Sequence, residues 1–309
     1  MSRHRSQDTV RTPYQRLLAN DVTPRAYVVL GAFTILVGWM ITSLVILGVQ
    51  TAIRPDPEGT LSWFGLLATN LTLIVLIPLS VLVARALNRQ TPGLLSSVAG
   101  RLRWRPLAWF ALVAVVLELI AFAIIEFGDV PLATGERHGG PAAADAVAVI
   151  AVTLLTSPIQ AAAEEYYFRG YLLQAVGSFL KGSTVAVLVT AVLFTAAHGV
   201  WPWESPALFV DRLAFGLVGG LLAVRTGGLE ASIAAHAANN VTTFVFAALT
   251  DTVGASLGVK DAPWPLVTLD VLKFAAFGAI ALWMAGRMKL ANRSELPLAA
   301  LPVGGPRRV

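Results

Sequence analysis

The sequence predicts an all-α fold, a polytopic membrane helical bundle with about eight transmembrane helices. Two observations predict it. Of 309 residues, 56% are hydrophobic and only 13% charged, and the mean hydropathy is +0.70; a soluble domain is about 25% charged. The apolar residues also fall in runs of about 20, the length a helix needs to cross a hydrocarbon core of about 30 Å. There is no Cys, which removes disulfides, a thiolate nucleophile and cysteine metal sites. The net charge of +5 and pI near 9.9 come from Arg residues beside apolar runs, a pattern of membrane anchoring and not of nucleic-acid binding.

In chain order, residues 1–25 form a polar tail with Arg3, Arg5, Arg11, Arg16 and Arg25. The apolar run that follows is too long for a signal-peptide core and has no small-residue cleavage site, so it reads as a retained first span. The spans are placed at 26–50, 62–84, 106–127, 146–168, 183–200, 207–225, 229–250 and 265–286. Pro78 is expected to kink the second. Residues 26–140 then hold three helices without a motif, 145–250 a motif-bearing core and 264–287 the last helix. Residues 288–309, with Pro and Gly, read as a short mobile tail.

Loop charge gives the orientation. Arg85, Arg89, Arg101, Arg103 and Arg105 separate spans two and three. Arg169 and Lys181 follow span four, Arg225 follows span six, and Arg287, Lys289, Arg293, Arg307 and Arg308 follow span eight. The alternate loops carry Asp56, Glu58, Asp129, Glu136, Glu204, Asp251 and Asp261. Basic loops stay cytoplasmic, so both termini are expected inside. Trp63, Trp104, Trp109, Trp201, Trp203 and Trp264 fall near span ends, as interfacial aromatics do.

Charged groups at membrane depth are costly, and are paired, cavity-facing or functional. Glu165 and Arg169 are spaced i,i+4 with the acid first, the favourable order for a helical ion pair. Glu164 points about 100° away on the helical wheel and is free to act as a general base. His198 ends a helical run. His236 shares a face with Ser232 and Asn240, flanked by Asn239 and Thr243, and such a polar stripe needs partners. An acid, two imidazoles and an amide on three helices can activate water, hold a divalent metal, or donate to an oxyanion. No HExxH motif is present, which sets aside the usual zinc-protease helix. Glu118 reads equally as a proton-relay group or a protonated hydrogen bonder. Asp270 and Lys273 are expected to pair, and Asp211 and Arg212 to lie at the interface. Gly216-x-x-x-Gly220 signals close helix packing.

At these residues the chain resembles the CAAX-protease and bacteriocin-processing family of intramembrane proteases, also called the Abi family. The family pattern EExxxR is met by Glu164 to Arg169, FxxxH by Phe194 to His198, and HxxxN by His236 to Asn240. The resemblance covers about Val147 to Thr250. It implies a multi-helix membrane endopeptidase acting on a membrane-associated peptide or protein, and the Ala, Val, Leu, Arg and Gly content suggests a bacterial source. It implies Glu164 as the water-activating group, His198 assisting, and His236 and Asn240 at a metal or the oxyanion, with Glu165 and Arg169 in support. The metal ligands, where a divalent ion such as zinc is used, would be Glu164, His198 and His236; a metal-free glutamate mechanism is equally open.

The rival reading is a transporter or proton-relay channel through Glu118, Glu164, His198 and His236. The paired broken helices of two repeated halves are not evident, and convergence of the four side chains on one site would favour hydrolysis. A catalytically idle scaffold would not need this chemistry. One feature opposes a simple topology: Glu164 falls near the inner end of span four and His198 near the outer end of span five. At 1.5 Å per residue those depths differ by about 20 Å, unless span four starts later than drawn or the stretch Gly170 to Ser183 dips back into the bilayer.

Overall fold

The computed structural model describes residues 11–56, 61–128, 130–131, 143–180, 182–250 and 260–299. Arg3, Arg5, Glu58, Asp129, Glu136, Lys181, Asp251, Arg307 and Arg308, which entered the loop-charge pattern, lie outside the described residues. Among the described residues the chain is all-α apart from one ribbon of two short strands, 12–13 and 293–294. Its helices are α1 Arg25–Ile53, α2 Trp63–Ile74, α3 Leu76–Ala86, α4 Trp104–Phe127 and α5 Ala143–Glu165. A π-helical turn, Tyr166–Leu172, joins α5 to α6, Leu173–Phe179. Then come α7 Ser183–Ala197, α8 Pro206–Thr226, α9 Glu230–Thr250 and α10 Trp264–Arg287.

Local chemistry sets these boundaries. Ser62 caps α2 by accepting from Gly65 N, and Ser205 caps α8 by accepting from Leu208 N ahead of Pro206 in the first turn, an arrangement that satisfies orphan amides. Gly227 ends α8 at φ 71, the left-handed geometry glycine adopts most easily. Pro78 has no N–H to give to Ile74, and the break between α2 and α3 falls at Val75, where the predicted kink belongs.

The predicted spans differ from the observed helices chiefly in the fourth. It does not end at 168. Asp145–Phe179 is one apolar helical run of 35 residues. The run ends only at Phe179 and α7 begins at Ser183, so Glu164 stands sixteen residues before Leu180 and His198 sixteen after Gly182. The two arms of this hairpin therefore bring both residues to the same depth, and no re-entrant segment is needed. Six described helical runs are long and apolar enough to cross a membrane: 25–53, 63–86, 104–127, 145–179, 206–226 and 264–287. Of the two further spans predicted, α7 has 15 residues, about 22 Å at 1.5 Å each. In α9 the polar groups Glu230, Ser232, His236, Asn239 and Asn240 interrupt the apolar surface.

α5 packs on α9 and α2, α4 on α9, α7 on α8, and α8 on α10. Gly216 and Gly220 permit the α7–α8 approach, since a Cβ on either would stand 3.0 Å from Ala191 or Val187. The two ends of the described chain are tied down beneath this bundle. Tyr14, Leu17 and Leu18 are buried, and the Tyr14 hydroxyl donates to Leu95 O. Burial pushes this phenol well above its usual pKa, so it stays a donor. Residues 293–294 pair antiparallel with 12–13, and Thr91 N donates to Leu298 O at 3.0 Å. The segment after Arg287, expected to be a mobile tail, is thus pinned as far as it is described.

Arg103 closes the same end. Its guanidinium grips Glu230 at 2.9 Å (Nε to Oε1) and 2.6 Å (Nη2 to Oε2), and Nη2 also donates to Thr226 O. Glu230 has no exposed surface. This bidentate pair fixes the start of α9, and with it the register at which His236 and Asn240 enter the bundle.

Candidate functional site

The site forms where α5, α7 and α9 meet. α5 is regular through Glu165, so residues four apart share a face. There Gln160 Nε2 donates to Glu164 Oε1 at 2.5 Å. Glu164 is 7% exposed, and its Oε2 has no hydrogen-bond donor among the described residues. That oxygen lies 3.9 Å from His198 Nε2, too far for a direct hydrogen bond and the right span for a bridging group.

His198 is the C-cap of α7. Its Nδ1 is 2.8 Å from Phe194 O. A carbonyl only accepts, so Nδ1 carries the hydrogen and Nε2 presents a lone pair toward Glu164 when the ring is neutral. The ring also packs on Phe194, with centroids 4.4 Å apart. Sequence spacing of four between Phe194 and His198 thus provides both the stacking and the carbonyl that sets the tautomer.

Glu165 makes a second, fully buried group. Its Oε1 accepts from Arg169 Nη1 at 2.7 Å and from His236 Nδ1 at 2.9 Å. The expected i,i+4 ion pair is therefore present, straddling the start of the π-turn; π-turns recur at functional sites. The Arg169 guanidinium lies 4.1 Å over the Phe194 ring and 5.2 Å from that of Phe215. Gly219 forms the floor, where a Cβ would meet Arg169 Nε and Nη2 at 3.2 Å. Removing one member of such a buried pair costs about 3–5 kcal/mol.

Asn240 joins the first group through Gln160. Its Nδ2 donates to Gln160 Oε1 at 3.0 Å. Gln160 is 4% exposed and was not singled out from the sequence, though a polar residue four before Glu164 in an apolar helix was a usable signal. Ser232, on the same stripe, donates to Leu229 O just ahead of its helix. Asn239 turns away, accepting from Lys273 Nζ at 3.1 Å.

Other charged residues fall outside this cluster. Glu118, read as a proton-relay group or a protonated hydrogen bonder, accepts from Lys273 Nζ at 3.0 Å. Lys273 also pairs with Asp270 at 2.8 Å, as the i,i+3 spacing suggested. Asp211, near the start of α8, is 3% exposed and paired with Arg212 at 2.7 Å. Among the described residues no three His, Cys, Asp or Glu side chains form a group able to hold a metal ion. Glu165 and Phe194 O take up the Nδ1 atoms of the two histidines. The Nε2 atoms of His198 and His236 are the ring nitrogens left for another partner.

Comparison with known proteins covers the helices just described. The family model "Type II CAAX prenyl endopeptidase Rce1-like" matches residues 143–242. This stretch of the chain is similar to that family. It begins with α5 and closes just past Asn240, so it contains Gln160, Glu164, Glu165, Arg169, His198, His236 and Asn240. α1 to α4 and α10 lie outside it. A Bacillus subtilis (strain 168) protein, described as the uncharacterized protein YyaK, is 33% identical over 144 residues, 46% of this chain and 47% of that protein. The chain thus spans about half the length of that curated relative. With residues 143–242 similar to a membrane-protease family and six described helical runs long and apolar enough to cross a membrane, the chain is an integral membrane protein.

Proposed function

We propose that this protein is an intramembrane endopeptidase of CAAX-protease type, hydrolysing a peptide bond of a membrane-associated peptide or protein. The observation that carries the reading is the facing pair of acceptors, Glu164 Oε2 and His198 Nε2, 3.9 Å apart. A water between them can donate one hydrogen to each. Glu164 then removes a proton as the water oxygen attacks the scissile carbonyl carbon. The carbonyl π pair moves to oxygen, and the second N–H of Asn240 Nδ2, with His236 Nε2–H when that ring is protonated, stabilises the oxyanion. As the C–N bond breaks, the proton on Glu164 passes to the leaving nitrogen, giving a carboxylic acid and an amine. Glu165 and Arg169 keep His236 in place. The Rce1-like match supports the same class of reaction.

The rival transport reading gains nothing from Glu118, which is held by Lys273 away from the cluster. We further propose a bacterial cytoplasmic membrane with both termini on the cytoplasmic face, on the strength of the loop charges. The test of the activity is cleavage of a prenylated peptide and of single-span peptides by purified protein in nanodiscs, wild type beside His198→Ala. Cleavage that falls at least about tenfold in the variant supports the assignment; equal cleavage by both removes His198 from it.

A further inference from the structure

Gln160 is the residue through which the two halves of the cluster touch. It lies outside all three sequence patterns, on the turn of α5 before Glu164, and it is buried. Its amide is engaged at both ends: Nε2 gives a hydrogen to Glu164 Oε1 at 2.5 Å, and Oε1 takes one from Asn240 Nδ2 at 3.0 Å. An amide can be placed either way round, and here the neighbours decide. An ionised Glu164 only accepts, so the NH2 of Gln160 must face it; the Gln160 oxygen then faces Asn240, whose own NH2 must face back. The charge on Glu164 thereby fixes the orientation of two amides on two helices.

The geometry needs α-helical spacing between 160 and 164. The π-turn begins only at Tyr166, and a π-turn starting one turn earlier would bring i and i+5 into line instead. The same hydrogen bond settles the other carboxylate oxygen. With Oε1 taken by Gln160, the Glu164 carboxylate turns Oε2 toward His198.

We propose that Gln160 is a positioning residue for the general base. It holds Glu164 and Asn240 on one amide, so that Glu164 Oε2 faces His198 and one N–H of Asn240 stays free for the substrate oxygen. This rests on the peptidase reading above. Gln174 is its natural control. It too is a buried glutamine, on α6, but it is hydrogen-bonded to Gln90 and Leu94 O and not to the residues of the cluster.

The experiment measures kcat and KM on a quenched prenylated peptide in nanodiscs, together with thermal melts, for wild type, Gln160→Met and Gln174→Met. Methionine keeps the length of the side chain and removes both hydrogen bonds. The expected result is a fall in kcat of about 10–100-fold for Gln160→Met with KM within about twofold. Gln174→Met should lower the melting temperature and keep kcat. Where Gln160→Met does not fold, Gln160→Asn, one methylene short of Glu164, replaces it with the same expectation.

Retention of kcat by Gln160→Met overturns the proposal. So does an equal loss in both glutamine variants, which would mark a purely structural role. Should the wild type cleave neither the prenylated peptide nor any single-span peptide, the peptidase reading fails and the catalytic role of Gln160 fails with it. In that case a thermal double-mutant cycle between Gln160→Met and Glu164→Leu still reports on the link itself: non-additive melts uphold the contact, and additive melts remove it.

Discussion

His236 Nδ1 lies 2.9 Å from Glu165 Oε1, the same oxygen that Arg169 Nη1 reaches at 2.7 Å. One buried carboxylate oxygen thus joins the first and third sequence motifs, seventy-one residues apart. Arg169→Met would leave Glu165 buried without its cation. The expected cost is about 3–5 kcal/mol, read as a large fall in melting temperature in detergent. Arg169→Lys should recover only part of it, because an ammonium lacks the planar guanidinium face that stacks on Phe194.

Gly219 gives a finer probe of the same pair. A methyl there would press on the Arg169 guanidinium at 3.2 Å. Gly219→Ala should therefore destabilise by about 1–3 kcal/mol. Gly48 has nothing within 4 Å of the corresponding point, so Gly48→Ala should leave the melt unchanged or raise it slightly. Thermal melts of the two variants side by side check this.

Lys273 ties α4 to α9 and α10 through Glu118, Asn239 and Asp270. Lys273→Met would leave two buried or half-buried acids without a cation and should cost about 3–5 kcal/mol. Adding Glu118→Gln should restore part of that loss, since the amide removes one uncompensated charge. A melt of the double variant no higher than that of Lys273→Met would contradict the ion-pair account.

The proposed topology can be checked with little background because the chain has no Cys. Single substitutions Arg101→Cys and Trp203→Cys fall on exposed loop positions, in a basic loop and in a loop between α7 and α8. A membrane-impermeant thiol reagent applied to intact bacterial cells should label Trp203→Cys and spare Arg101→Cys. The reverse pattern would invert the topology.

Much of this arrangement was legible in the sequence, for local reasons. The Glu165–Arg169 pair follows from i,i+4 spacing, and His198 packs on Phe194 because four residues make about one turn. Trp63, Trp104 and Trp264 begin helices where interfacial aromatics were read. What was not legible depends on the third dimension. Arg169 and Gly170 look like the end of a span, yet the π-turn carries the helix on to Phe179. Arg103 and Glu230 are 127 residues apart, and no local pattern announces such a pair. Gln160 is one polar residue in an apolar helix, and only the arrival of Asn240 from α9 gives it a second partner. The buried N-terminal residues Tyr14, Leu17 and Leu18 were masked by the Arg residues around them.

The central claim is that Glu164 activates water. The most direct measurement compares wild type with Glu164→Gln, which keeps size and hydrogen-bonding capacity but cannot take up the proton. Both are purified in nanodiscs, matched for melting temperature, and given the same prenylated and single-span peptides. The account predicts cleavage by the wild type and a loss of at least about a hundredfold in the variant. Cleavage at equal rates by the two would contradict it.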